Sequence, residues 1–139
     1  MLMLRSYLAE EVIAGLPTEE CDRLYRALRY RWPMWARPEQ IVPTGDWDVL
    51  GLCAGRGGGK TRPGAEWSHE LAAAHPGARM AIGARASADA RDTIVLGESG
   101  LVATARPWFR PRDYPRKRLV LWPNGLQAPL YTAAAPALL

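Results

Sequence analysis

The chain has 139 residues, of which 48% are hydrophobic and 23% are charged, values ordinary for one soluble domain with a core of its own. Its 18 Lys and Arg against 14 Asp and Glu give a net charge of +4, which permits a nucleic-acid partner without requiring one. With no secretory signal and no apolar run near the ~20 residues of a membrane helix, the sequence predicts a soluble, intracellular protein. Cys21 and Cys53 share no metal-ligand spacing, so two buried free thiols in a reducing compartment are expected.

The N-terminal part of the chain shows two helical patterns. Apolar residues repeating every four positions predict a short helix over residues 1–15. Thr18 is a candidate N-cap for a second helix that runs to about Arg31, and the Trp- and Pro-rich residues 32–40 then break it. The outer face of the second helix carries three arginines that are either solvated or contact DNA. These are Arg23, Arg26 and Arg29.

Gln40 is a candidate for recognising a base. It lies 14 residues before Ala54, and a glutamine amide can bond both the donor and the acceptor edge of adenine. Trp35 or Trp47 would supply a flat apolar wall for such a base. The alternative is that these tryptophans pack the N-terminal segment onto a sheet.

The stretch from Ala54 to Thr61 matches a phosphate-binding loop, except that Ala54 stands where the usual pattern has glycine. Glycines allow positive φ angles without steric cost, so consecutive amides can converge on an anion. Lys60 is placed to neutralise β- and γ-phosphates, and the Thr61 hydroxyl to bind Mg²⁺. The alternative is a glycine-rich surface turn that happens to hold a lysine. The glycines of the loop are Gly55, Gly57, Gly58 and Gly59.

The residues around this loop predict a strand before it and a helix after it. The apolar run Val49–Cys53 is consistent with a buried parallel strand. From Thr61 to His75 a helical pattern follows, with Pro63 in the first turn, where its missing N–H has no partner to lose. One face of that helix is predicted to face the core. It consists of Ala65, Ser68, Leu71 and Ala72.

The rest of the chain predicts further alternation of strands and helices. Residues 79–84 form a predicted strand, and residues 87–96 a predicted helix with Ser87 as its cap. Leu101 begins another short turn of helix or strand. The order strand, loop, helix, strand, helix predicts a parallel sheet with helices on both faces.

The last third of the chain contains a basic loop and a hairpin. Residues 106–117 combine three prolines and five Arg or Lys with aromatic residues. This segment is either a surface for DNA or a stiff connection whose charges are solvated. Residues 118–122 and 126–131 flank an Asn-Gly pair and predict a β-hairpin with a tight turn, in which Pro129 suits an edge strand.

Several blocks of this sequence, taken together, resemble one protein family. The blocks at 35–40, 43–47 and 54–61 read WARPEQ, PTGDW and AGRGGGKT. They resemble the large terminase subunit of tailed phages and gene transfer agents, and shorter blocks at 88–92, 97–101 and 118–125 fit as well. The resemblance covers about residues 30–132.

The resemblance implies a DNA-packaging motor. In that family an N-terminal ATPase domain drives double-stranded DNA into a capsid, and a nuclease domain of RNase H type cuts it. By resemblance, Gln40 reads adenine, Arg56 senses or acts on the γ-phosphate, and Lys60 and Thr61 hold ATP and Mg²⁺. The implied partners are the capsid portal, a small terminase subunit and a homo-oligomeric ring on the portal, in the host cytoplasm.

The sequence departs from the family in one important respect. Hydrolysis needs carboxylates that hold magnesium and activate water, and no apolar strand ending in Asp-Glu occurs. The nuclease domain is also missing, and Pro63 and Pro129 are unusual for the family. The expected fold is therefore an incomplete α/β, P-loop NTPase-like three-layer fold, with N-terminal helices, a partly parallel sheet and a C-terminal hairpin. Residues 1–47 form a helical and adenine-motif segment, and residues 48–139 a partial ATPase core.

Two other functions stay open at this point. The chain is alternatively a catalytically inactive prophage remnant that keeps the fold. It is otherwise a different P-loop NTPase, such as a helicase or a small-molecule kinase.

Overall fold

The computed structural model describes residues 15–86 and 89–133. Most of the predicted helix over residues 1–15 and the predicted cap Ser87 lie outside this part of the chain. The chain divides into two compact units, one up to Ala36 and one from Arg37 onward. The predicted division into residues 1–47 and 48–139 follows sequence motifs, whereas the two units are defined by contacts within each part. The predicted division therefore stays a prediction.

The first unit contains two helices, α1 (Thr18–Arg29) and α2 (Trp32–Trp35). Thr18 is the first residue of α1 rather than its cap, because Pro17 holds the N-cap position and no side chain caps the helix. The predicted break in the helix is confirmed, since α1 ends at Arg29 before residue 32; the first residues of the break form the separate single turn of α2. The Trp35 Nε1–H donates to the Leu28 carbonyl at 2.9 Å and so fastens this turn to α1.

The second unit is an α/β structure with a four-stranded sheet. Its strands lie in the order β1-β4-β3-β2; β1 pairs with β4 in parallel, and the other pairs are antiparallel. The sheet is therefore mixed, with one parallel pair. Within the described residues, no helix has the length and apolar character needed to cross a membrane. The elements are α3 (Thr61–Ala74), β1 (Ile82–Ala84), a π-helix (Asp89–Val95), α4 (Leu101–Thr104), β2 (Arg112–Tyr114), β3 (Leu119–Leu121) and β4 (Gln127–Thr132).

The predicted strand at Val49–Cys53 is absent, and this part of the prediction is wrong. Val49 is 87% exposed, and Leu50 and Leu52 are also exposed. A buried parallel strand needs hydrogen-bonding neighbours, and none of the four strands pairs with this segment. The apolar run therefore stays irregular and exposed ahead of the loop. Cys53 is exposed in it and Cys21 is half-buried, so the prediction that both thiols are buried is wrong; neither forms a disulfide within the described residues.

Two further segments differ from the predictions because of pairing and packing at a distance. The strand predicted over 79–84 is shortened to β1, with an isolated bridge at Arg79. The predicted loop over 106–117 contains β2, because β3 supplies a complementary antiparallel edge. The predicted helix over 87–96 is a π-helix over its described part.

The hairpin of β3 and β4 is confirmed, but its turn is of another type. Gly125 donates to the Trp122 carbonyl at 3.0 Å and has φ +88°, whereas Asn124 keeps a negative φ. Pro123 occupies the second position of this turn, and its ring fixes φ near −65°. That geometry favours a three-residue loop with the glycine in the left-handed region. The Asn124 side chain is thereby free to donate to the Ala72 carbonyl at the end of α3, at 2.6 Å.

Pro129 lies on a central strand, not on the predicted edge, since β4 has β1 on one side and β3 on the other. Leu130, the next residue, donates to the Arg118 carbonyl on the β3 side, so the missing N–H of Pro129 faces β1. Met80 donates to Gln127, and Gln127 donates to Ala78. If this parallel pattern continued, the next donor from β4 would be the backbone N–H of residue 129, which proline lacks. Pro129 therefore interrupts the ladder between the Arg79 bridge and β1.

The core of this unit is small and encloses a polar chain. Trp122, Leu101, Leu126, Val95 and Val120 are its largest fully buried side chains, and α3 packs its small residues Ala65 and Ala72 against them.

The predicted core face of α3 is partly wrong. Glu66 and His69 are buried beside Ala65 and Ala72, while Ser68 and Leu71 are only half-buried. Trp122 Nε1–H donates to His69 Nδ1 at 3.2 Å, so the ring proton sits on Nε2, 3.1 Å from Thr104 Oγ1. Thr104 in turn donates to the Gly100 carbonyl at 2.9 Å. Each polar atom of this buried chain thus has a partner, which is what makes its burial tolerable.

Candidate functional site

The glycine-rich loop makes a defined turn just before α3. The Gly58 N–H donates to the Gly55 carbonyl at 3.1 Å, and Gly57, at the third position of that turn, has φ +74°. A type II turn requires such a positive φ at this position. Gly59 adds a second left-handed residue, with φ +73°. Two of the four predicted glycines thus adopt conformations that other residues rarely take.

The N-terminus of α3 follows this loop directly. Lys60 is the N-cap, and no side chain caps the helix. The first amides of a helix carry a partial positive charge and lack partners within the helix. Thr61, the first residue of α3, is half-buried. The loop and this helix end together form an arrangement that suits an anion.

The Lys60 side chain folds back across the loop. Its ammonium donates to the Ala54 carbonyl at 2.5 Å and to the Gly55 carbonyl at 2.8 Å. Both acceptors belong to the start of the loop, so the cation spans the turn from its end to its beginning. Because an ammonium has three donors, one remains for a ligand.

Arg56 lies at the exposed tip of the turn. Its guanidinium makes no hydrogen bond or ion pair with the residues that the structure describes. The predicted γ-phosphate contact therefore requires no bond to be broken first. No group of three or more His, Cys, Asp or Glu within the described residues is placed to hold a metal ion.

Two side chains hold the loop from outside. The Arg37 guanidinium donates to the Gly58 carbonyl at 2.8 Å, and the Gln40 amide donates to the Gly59 carbonyl at 3.0 Å. The Gln40 Oε1 also accepts the Arg37 backbone N–H at 3.1 Å, which caps the short 3₁₀ turn Pro38–Gln40. Gln40, predicted to read adenine, is thus engaged with the loop itself. One amide hydrogen and one lone pair of Gln40 remain, since an amide side chain can make four hydrogen bonds.

A cavity of about 370 Å³ adjoins the loop and Gln40. Aliphatic residues before the loop form one wall, and a face of α3 forms the other. Its size and mainly apolar lining are of the kind that takes a flat organic group. The lining includes Ile41, Val42, Leu50, Leu52, Lys60 and Trp67.

The aromatic residue of this cavity is Trp67, which the sequence prediction missed. Trp35 belongs to the first unit, and Trp47 does not line the cavity but packs against Trp67 with ring centroids 5.9 Å apart. The helical spacing of the sequence after the loop would have identified Trp67 as a residue of the site. Lys60, Pro63, Gly64 and Trp67 are spaced i, i+3, i+4, i+7, and all four line the cavity.

Two buried ionisable groups on α3 lie outside this cavity. Burial raises the pKa of Glu66, although its ion pair with Arg62, at 2.7 Å, acts in the other direction. Burial and the nearby charge of Arg106 lower the pKa of His69 to about 4. The sequence prediction treated neither as a core residue.

Replacing Gly59 with alanine is expected to destabilise the protein. Its φ of +73° is unfavourable for a residue with Cβ, and that Cβ would stand 2.8 Å from Gln40 Nε2. We expect Gly59→Ala to lower the free energy of unfolding by about 1–2 kcal/mol, measured by urea denaturation. Gly64→Ala is the matched control, because nothing lies within 4 Å of its Cβ position. It lies in α3 and should raise stability by about 0.5–1 kcal/mol; equal effects of the two changes would contradict this account of the loop.

Comparison with known proteins gives no match. No protein-family model, no curated protein and no solved structure matches the chain.

Proposed function

We propose that this chain is the ATP-binding part of a DNA-packaging motor of the large terminase type. ATP would occupy the loop at residues 54–61, with Lys60 and Arg56 at its phosphates and Gln40 beside its base. Mg²⁺ would be held by the phosphates and the Thr61 hydroxyl, a mode in which this ion keeps several waters. Double-stranded DNA would be the track, with the capsid portal and a small subunit as partners.

The loop geometry is the observation that carries this proposal. Gly57 and Gly59 are left-handed, the N-terminus of α3 is uncapped, and Lys60 spans the turn. A surface turn that holds a lysine by chance has no reason to combine these three features. Backbone amides, helix end and ammonium are the groups by which proteins cradle a polyphosphate.

The adjoining cavity supports a nucleotide rather than a simple phosphate. Lys60, Gln40 and Trp67 all line it, so a ligand with its phosphates at Lys60 would have its flat part in this cavity. Stacking against an indole and one amide contact from Gln40 suit a purine.

Nucleotide titration of Lys60→Ala tests this proposal. We expect the wild-type chain to bind Mg-ATP weakly and Lys60→Ala to bind it about 10- to 150-fold more weakly, since a hydrogen bond between charged groups contributes about 1.5–3 kcal/mol. Isothermal titration calorimetry measures both. Lys117→Ala is the matched control, because Lys60 and Lys117 are the two lysines of the chain and Lys117 is exposed outside the site.

One result would contradict the proposal, and another would contradict the expectation that this chain hydrolyses ATP poorly. Equal ATP affinity of wild type and Lys60→Ala would favour the inactive remnant. Hydrolysis by this chain is expected to be poor, because the sequence has no apolar strand ending in Asp-Glu to hold magnesium and activate water. A robust turnover that Lys60→Ala abolishes would show that an acidic residue elsewhere supports catalysis.

A further inference from the structure

The positive charge of the chain is concentrated in one short segment. Residues 106–118 hold six of the 18 Lys and Arg and one of the 14 Asp and Glu. Their net charge is +5, so the remaining 126 residues together carry −1. The one acidic residue, Asp113, is engaged by Arg91 at 3.3 Å. The excess positive charge of the whole protein therefore lies in this segment.

The segment forms one side of a groove of about 710 Å³, here called the basic groove. On β2, side chains alternate between the two sides of the sheet. Arg112 and Tyr114 line the groove, while Asp113 lies on the other side towards Arg91. No acidic side chain is among the described residues that line it. The lining includes Trp108, Arg110, Arg112, Tyr114, Leu121 and Pro123.

An exposed indole lies beside these arginines. Trp108 is 69% exposed, and it is carried on the 3₁₀ turn Pro107–Phe109, which the bond from the Phe109 N–H to the Arg106 carbonyl closes at 2.9 Å. Prolines on both sides limit the backbone conformations of this turn. The indole is thus presented to solvent on a short, stiff support, which reduces the entropy lost when a ligand stacks on it.

We propose that the basic groove binds single-stranded nucleic acid, with an unpaired base stacked on Trp108 and phosphates at Arg110 and Arg112. Aromatic faces alternating with cations are how proteins hold unpaired strands without sequence preference. A paired duplex presents phosphates but keeps its base faces inside the stack, so it would use the arginines and leave the indole unused. This activity is distinct from movement along a duplex, and it needs no nucleotide in the glycine-rich loop.

Fluorescence anisotropy with a labelled oligothymidine of about 16 nucleotides, the upper site size of one small binding fold, tests the proposal. Trp108→Ala should weaken binding roughly 5- to 150-fold, the usual effect of losing one stacked base. Arg110→Gln and Arg112→Gln should each reduce the slope of log affinity against log salt by about 0.7, the value for one phosphate contact on a single strand. Arg79→Gln is the charge-matched control, because Arg79 is exposed and lies outside the segment.

Competition distinguishes the other partners of a cationic surface. A duplex of the same length, or an acidic peptide, should compete poorly with the oligothymidine. If either competes equally well and Trp108→Ala changes nothing, the groove is a general polyanion surface and the proposal is wrong. All titrations are made without ATP, so their outcome does not depend on whether Lys60 binds a nucleotide. Trp108→Ala should unfold at the wild-type temperature, which separates a binding defect from a folding defect.

Discussion

The free energy of unfolding is expected to fall by about 3 kcal/mol as the pH is lowered from neutrality to about 4. The cause is His69, whose pKa is lowered from 6.5 to about 4 by burial, with a smaller contribution from the charge of Arg106. The unfolded chain takes up a proton as the pH drops through 6.5, while the folded chain does not until about 4. Stability from this group is therefore complete above 6.5 and is lost progressively down to about 4.

The hydrogen-bond geometry adds a structural reason for the same effect. His69 Nδ1 accepts from the Trp122 indole, so a proton added there would place two donors face to face. Glu66 opposes the trend just above 4.5, because its pKa is raised in the folded protein.

Urea denaturation at a series of pH values isolates the histidine when wild type is compared with His69→Gln, a side chain that does not titrate. The loss of unfolding free energy between pH 6.5 and about 4 should disappear in His69→Gln. It should persist in His75→Gln, which changes an exposed histidine. A wild-type profile that is flat between 6.5 and 4.5 would contradict the role of His69.

Trp122→Ala is expected to be the most damaging single substitution, lowering the free energy of unfolding by about 3–5 kcal/mol. Trp122 is 1% exposed and belongs to the largest fully buried side chains, so its removal leaves a cavity. The substitution also deprives His69 Nδ1 of its donor. Since small domains are stable by about 5–15 kcal/mol in total, a large fraction of the variant should be unfolded under mild denaturing conditions.

A second substitution separates the two causes. Trp122→Phe keeps most of the apolar volume and loses the indole N–H, so we expect a cost of about 1–3 kcal/mol from the unpaired nitrogen. Trp108→Ala, at an exposed position, should change stability by no more than about 0.5 kcal/mol. Thermal unfolding followed by circular dichroism ranks the three variants. If Trp122→Phe matched Trp122→Ala, cavity formation would not be the main term.

The elements with local signals were predicted well from the sequence. α3 begins at Thr61, directly after the loop, and the hairpin forms around residues 123–125, because glycine, proline and helical spacing act within a few residues. Val49–Cys53 was predicted as a strand from its apolar character, but a strand needs a neighbour, which a linear pattern does not supply. β2 was missed for the converse reason: Arg-Asp-Tyr has no strong strand signal and is paired only because β3 lies beside it.

The candidate site was predicted in its parts but not in its connections. The sequence identified Gln40, Arg56, Lys60 and the glycines as a set, and their binding roles stay predictions. It did not indicate that Gln40 bonds the Gly59 carbonyl or that Arg37 bonds that of Gly58. Such contacts join residues about twenty positions apart, and they depend on how the chain returns to the loop.

The exposed run Val49–Cys53 has a consequence for the solubility of the protein. Short apolar segments with unsatisfied backbone groups are sites where separate copies pair edge to edge. Asp46 and Asp48, both exposed, immediately precede this one. Negative charges beside an aggregation-prone segment disfavour such pairing, since two copies aligned there would bring like charges together. Asp46 and Asp48, which have no part in the proposed site, are thus placed to oppose edge-to-edge pairing of this segment.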